Sequence, residues 1–190
     1  MPRPREFDEA AAVESAMHAF WDNGYEGTST AQLCAATGLS RSSIYNAFNS
    51  KHALFRLSLQ HYMANATQAR IDLITADRPV RDKLREMFTN TIDDACHSPR
   101  GCLAVNTAAE LGGRDEEISN DLRRDTERLI DAVRQAIEAG QHAGELDKDK
   151  DALALAQFLH AASGGLRLLA RSGADRAALE NAAAIALAAV

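Results

Sequence analysis

The sequence predicts an all-α protein of about nine helices, and three observations carry that prediction. Alanine, the strongest helix former, is abundant, while prolines number only four in 190 residues. Apolar residues recur at spacings of three and four along most of the chain. No stretch alternates apolar and polar residues with the Val, Ile, Thr and Tyr content of a strand.

The first helix is expected from about Phe7 to Asn23, with Val13, Ala16, Met17, Phe20 and Trp21 on one stripe and Gly24 as its stop. Ser29 and Gln32 have the spacing of a capping box and open a short second helix that ends at Gly38. Leu39 plugs the turn, and Ser40 is placed to cap a third helix, Arg41 to Ala47, whose Ile44 and Phe48 can pack inward. Ser50 caps a fourth helix, from Lys51 to about Ile74. A fifth begins at Pro79 and reaches about Cys96; a sixth runs from Cys102 to Leu111. The seventh spans about Glu116 to Ala139, followed by a loop, Gly140–Asp149, that includes His142. Two final helices cover about Asp151–Arg171 and Asp175–Ala189. The division expected is a small N-terminal unit, residues 1–48, and a helical body, residues 49–190.

Charge is unevenly placed. The chain carries a formal net charge of −6, yet no Asp or Glu falls between Gly27 and Ile71. That window holds Arg41, Lys51, Arg56 and Arg70, so a mildly basic segment sits inside an acidic body, as a phosphate-facing surface would require. Cys34, Cys96 and Cys102 are too few and too scattered for a disulfide framework or a zinc site, so reduced thiols are expected. The opening MPRPREFDEAA turns acidic without a signal-peptide core, and the apolar windows at 152–162 and 182–190 look too short or interrupted to span a bilayer. A cytoplasmic protein with no membrane partner is the expectation.

Helix, tight glycine turn, helix is the helix-turn-helix. Its junction needs a small residue (Cys34), a flexible turn residue (Gly38), a plug (Leu39) and an inward apolar residue on the second helix (Ile44), and all four are present. The second helix then turns Arg41, Ser42, Tyr45 and Asn46 outward. Arginine can bond guanine bidentately, asparagine can do the same to adenine, and serine can reach bases or phosphates.

The span from Gly24 to Phe55 resembles the N-terminal domain of the TetR/AcrR family of bacterial transcriptional regulators. Gly24-Tyr25, Thr28-Ser29, Leu33 through Gly38, Ser40, Ile44-Tyr45, Phe48, Lys51 and Leu54-Phe55 carry the likeness. The resemblance implies a homodimer, joined mainly through the last two helices, that binds a double-stranded DNA operator in successive major grooves. It also implies a C-terminal ligand-sensing and dimerisation body responding to a small-molecule inducer. By position, Thr28, Tyr45 and Lys51 resemble phosphate contacts, while Arg41, Ser42, Ser43 and Asn46 lie where base contacts are usual; Ser29 and Ser40 cap the two helices of the motif. Ala47 stands where many members carry His or Tyr and cannot hydrogen-bond, so that contact is missing or moved to Asn46.

In the body, Pro99–Leu111 resembles a branch of the family in which Gly-Cys-Leu opens the sixth helix and some members respond to electrophiles or oxidants. Cys102 at a helix N-terminus beside Arg100 would favour thiolate, although free cysteines are ordinarily small buried apolar residues. A ligand cavity is expected among helices four to eight, with Met87, Phe88, Thr91, Asn106, Glu110, Phe158 and His160 as candidate liners that equally fit plain core. Asn106 and Glu110 share a helix face and could orient a ligand, or one could cap a neighbouring helix.

The reading is a sequence-specific DNA-binding regulator, a repressor released by a small ligand or by thiol modification. The alternative is a helical small-molecule-binding dimer or enzyme without DNA binding. It has little support, since no nucleophile–base pair, HExxH, phosphate loop or metal spacing occurs. No catalytic residue, metal or cofactor is expected.

Overall fold

The structure, a computed structural model, describes residues 8–98 and 100–190. Among the described residues there are nine helices: α1 (Glu9–Gly27), α2 (Thr30–Thr37), α3 (Arg41–Phe48), α4 (Lys51–Thr75), α5 (Val80–His97), α6 (Leu103–Leu111), α7 (Glu116–His142), α8 (Ala152–Arg171) and α9 (Arg176–Ala188). Phe7, the expected start of the first helix, and Pro99 lie outside them.

Local chemistry sets most of the boundaries. Asp8, Ser29, Ser40, Ser50, Asp115, Asp151 and Asp175 each accept backbone N–H groups at a helix start, satisfying donors that the helix itself leaves unpaired. Pro79 cannot do this for α5; the Glu145 carboxylate accepts from Val80 N at 2.8 Å instead. Gly24, at φ 74, breaks α1 where the sequence predicts a stop, and the last turn of that helix continues at a new angle. Two boundaries differ from expectation. α6 begins at Leu103 with Cys102 as its N-cap residue, and α7 runs on through Gly140 to His142. Gly140 serves close packing inside α7 and not a helix stop: a Cβ there would lie 2.5 Å from Val80 Cγ1. His142 therefore ends a helix, exposed, with Nδ1 2.7 Å from Glu138 O.

Two apolar clusters organise the chain. The first gathers Phe20 and Leu33 with Ile44 and Phe48 from the N-terminal helices, Leu54, Phe55, Leu59 and Met63 from α4, and Leu103, Leu111 and Ile118 from α6 and α7. The second lies among α4, α5, α7, α8 and α9 around Leu84, Phe88, Ile137 and Leu159. α4 runs through both.

α8 corrects one sequence expectation. By length and composition it is apolar enough to cross a membrane. Here its inner face packs on α5, α7 and α9. Its outer face exposes Leu153, Ala154, Phe158, Ala161, Gly165, Leu168 and Leu169, with Leu168 61% exposed, and Ile185 of α9 is 74% exposed. That apolar face has no partner within the described chain.

Candidate nucleic-acid interface and ligand pocket

α2 and α3 form the helix-turn-helix. Gly38 takes a left-handed conformation (φ 69) and its N–H bonds Cys34 O, which turns the chain sharply into Leu39. Leu33, Ile44 and Phe48 are buried beneath the turn, and the half-buried Cys34 packs against the same cluster. Ala47 also packs inward, so its position serves the core.

Arg41, Ser42, Tyr45 and Asn46 are exposed on one side of α3, as expected. The Arg41 guanidinium lies 5.7 Å from the Tyr45 ring centre. The Thr30 hydroxyl near the Tyr45 phenol lowers its pKa, and Arg41 and Lys51 add to that. Lys51 Nζ sits 4.5 Å over the Tyr25 ring. Thr30 and Tyr25 are thus supporting residues that sequence reasoning missed; Tyr25 was signalled only by the Gly-Tyr pair. Arg41 and Lys51 have no acidic partner among the described residues.

Several expected contacts are engaged elsewhere. Thr28 is fully buried: its hydroxyl donates to Gly24 O at 2.6 Å and approaches Ala19 O at 3.3 Å, so its side chain is a staple across the Gly24 bend and not a phosphate contact. Ser29 is occupied by its reciprocal capping box with Gln32. Ser40 Oγ accepts Ser43 N at 3.1 Å and lies 2.8 Å from Ser43 Oγ and 2.9 Å from Ser42 Oγ, so both hydroxyls touch the cap; Ser43 is half-buried and Ser42 remains exposed. The acid-free window also splits. Arg56 bonds Asp121 at 2.5 Å and Glu117 at 2.9 Å on α7, and Arg70 lines an internal cavity. Only Arg41 and Lys51 of its four bases serve the outer face of the head.

That cavity, about 560 Å³, opens between α1, α4, α5, α6 and α8. Met87, Thr91 and Cys102 line it as expected, and Trp21, Tyr62, Arg70, Leu73 and Arg167 join them. The other candidates lie elsewhere. Phe88 lies against a second hollow beside α9, and Phe158 is on the outer face of α8. Half-buried His160 is outside the lining; burial and the charges of Arg70 and Arg167 hold its pKa down. Asn106 and Glu110 face a separate hollow between α1 and α6. Asn106 donates to Arg100 O and accepts from Arg171. Glu110 accepts from Tyr25 N at 3.0 Å and Glu26 N at 2.9 Å, fastening α6 to the end of α1. One of the two does cap a neighbouring helix, as the shared face allowed.

Cys102 is buried and receives the Tyr62 hydroxyl at 3.4 Å. Burial pushes its thiol up, but Arg167, the Tyr62 hydroxyl, the Val105 N–H and Arg70 together bring it below its ordinary value. The helix N-terminus expected from the sequence contributes; Arg100 does not. Arg100 instead bonds Asp22 at 2.7 Å and lies over Trp21. The cation that matters is Arg167, and its signal in the sequence was one base inside an otherwise apolar helix.

A capped helix-turn-helix with unpaired outward cations, carried on a helical body with an internal cavity, defines a DNA-binding transcriptional regulator. The family model described as "Bacterial regulatory proteins, tetR family" matches residues 12–57, and "Tetracyclin repressor-like, C-terminal domain" matches 80–186. The chain belongs to the TetR family. It is 31% identical over 176 residues to the HTH-type transcriptional repressor ComR of Escherichia coli (91% of this chain, 84% of that one). It is 29% identical over 185 residues to the transcriptional regulator YezE of Bacillus subtilis, covering 95% of each. Among solved structures, a cysteine mutant of the TetR-family regulator CifR in complex with 26-bp operator DNA superposes with a TM-score of 0.86 at 33% identity, covering 98% of this chain and 99% of that one.

Proposed function

We propose that the chain is a cytoplasmic, non-enzymatic homodimeric repressor. A small molecule entering the 560 Å³ cavity, or modification of Cys102, lowers its affinity for its operator. Residues 1–48 serve as the reading head and 49–190 as the sensing and pairing body. The observation that carries the reading is the exposed set Arg41, Ser42, Tyr45 and Asn46 on α3, flanked by Lys51, with both cations free of acidic partners among the described residues. Arg41 and Asn46 read base edges; Tyr45 and Lys51 hold phosphates; Ser42 reaches either. The repressor ComR and the operator-bound CifR mutant support the same role. The outer face of α8 with Ile185 of α9 is the pairing surface, isologous about a two-fold axis that sets the two α3 helices about 34 Å apart.

Selection of bound duplexes from a random pool tests the reading and should return a near-palindrome. Arg41→Ala should then cost about 1–3 kcal/mol and relax one position of each half-site. Lys51→Ala should weaken all sequences alike and flatten the salt slope by about one per contact. Binding with no sequence preference and no salt slope would remove the head's assigned role. For the thiol branch, maleimide alkylation of Cys102 in a Cys34→Ser, Cys96→Ser background should release the operator. Unchanged affinity leaves ligand entry as the only release.

A further inference from the structure

The cavity holds two arginines, and among the described residues neither is in an ion pair. Arg167 is only 8% exposed, and every group it bonds is neutral: Ser163 O at 3.3 Å, Ser163 Oγ at 2.7 Å and Thr91 Oγ at 3.2 Å. Arg70 also lines the cavity. Among the described residues no carboxylate lies within ion-pair distance of either. Two acids share the lining without pairing with either guanidinium: Asp93 is bonded to Arg176, and Asp94 is exposed to solvent; Asp125 takes the Thr67 hydroxyl. A guanidinium withdrawn from water without a counter-charge is costly, and two in one cavity reinforce the cost. Burial and the charge of Arg70 push Arg167 toward its neutral form, only partly opposed by Cys102, Tyr62 and Asp94. This arrangement is favourable only when the site supplies or receives negative charge. Trp21, Leu73 and Met87 give the wall an apolar part, beside a polar edge with Asn90, Asp94 and Ser98.

Resting on the reading of this cavity as the effector site, we propose that its ligand class is an amphiphilic monoanion, a carboxylate or sulfonate on an apolar body. Arg70 and Arg167 meet the charge, and Trp21, Leu73 and Met87 meet the body. A guanidinium is suited to this task, because its planar fork matches an oxyanion. An aldehyde, quinone or other neutral electrophile would reach Cys102 without using either arginine. The anion therefore defines a second way to occupy the cavity, one that leaves the thiol untouched.

Trp21 lines the cavity and is the chain's single tryptophan, so its fluorescence reports occupancy. The test uses two dyes with the same aromatic body, anionic anilinonaphthalenesulfonate and neutral phenylnaphthylamine, titrated into the full-length dimer. The anionic dye should quench Trp21 with a Kd at least about tenfold lower than the neutral dye, the scale of one charge-assisted hydrogen bond. Arg167→Gln and, separately, Arg70→Gln should erase that preference while leaving the neutral dye within about twofold. Among the described residues Arg70 makes no side-chain hydrogen bond, so its variant remains informative if Arg167→Gln fails to fold. Arg123→Gln, exposed on α7, should change nothing. Equal Kd values for the two dyes, or a preference that survives Arg70→Gln, overturns the anion assignment while the cavity stands as a ligand site. If neither dye quenches Trp21, the cavity itself loses its role as effector site, and this inference falls with it.

Discussion

The reading head and the cavity use arginine in opposite settings. In the head, Arg41 stands in water on α3, leaning on Tyr45, and keeps its charge at almost no cost. In the cavity, Arg167 is buried, held only by hydroxyls and a carbonyl, and keeps its charge against burial. Along α7, by contrast, Arg128 and Arg134 are paired with acids one turn away, as solvated surface charge ordinarily is. The difference teaches that a cation without an acid marks a place where the negative charge comes from outside. In the head that charge is a polymer met on a surface. In the body, on the proposal above, it is a small molecule met inside. An exposed guanidinium costs little in water, whereas a buried one gains from a ligand that brings it negative charge.

The head is also the more fragile half, because it has few buried side chains to lose. Leu33 is fully buried under the helix-turn-helix. Leu33→Ala should cost about 2–5 kcal/mol locally and abolish operator binding. Sedimentation should still give the dimer mass, since α8 and α9 are far from the lesion. Loss of the dimer in this variant would show that the two halves are one cooperative unit. Glu110→Ala gives a smaller effect on the connection between them. Removing the acceptor of the Tyr25 and Glu26 N–H groups should cost about 1–2 kcal/mol and weaken operator binding, with dye binding to the cavity unchanged. A simultaneous loss of dye affinity would place Glu110 in the ligand site after all.

The smallest effect concerns the His52–Asp115 pair, which joins the start of α4 to the start of α7 at 2.7 Å. The Ile118 N–H, against opposing burial, and His52 hold the Asp115 carboxyl below its usual range. A carboxyl depressed in the folded state contributes stability above its unfolded value of about 3.9, and that contribution disappears as pH falls through the folded value. Asp115→Asn preserves the cap and removes the charge, so it should lose about 1 kcal/mol or less at pH 7, with the gap closing below pH about 4. Denaturant titrations across that range would show it. A gap that persists at low pH would mean that the cap geometry and not the charge is at stake.

How much of this was legible in the sequence depended on distance along the chain. Ser29, Ser40 and Ser50 cap helices a few residues away, so the helix-turn-helix could be read from spacing alone. The outward set on α3 followed from the same helical period. The burial of Thr28 is not legible in the sequence, because it depends on the bend at Gly24, which folds the hydroxyl back under α1. Arg100 was chosen for Cys102 because it is two residues away, whereas Arg167 arrives from α8, 65 residues on. Glu110 looked like a cavity residue until its partners were found 85 residues upstream. The cavity is built by tertiary packing, and side-chain type alone did not reveal which face of α5 or α8 would turn toward it: Phe88 and Phe158 face elsewhere.

The grip of Glu110 has a consequence for how such proteins can be recombined. It holds two main-chain N–H groups and no side chain of the head. What it demands is the bend before them, since a Cβ at Gly24 would stand 2.9 Å from its carboxylate and the backbone there has φ +74. A head with a different outward face on α3 would be seated the same way provided that this glycine, Tyr25 and the inward Ile44 and Phe48 are kept. The joint is therefore blind to operator choice. A chimaera that grafts another helix-turn-helix onto this body at the glycine should answer to the same effector while addressing a new gene.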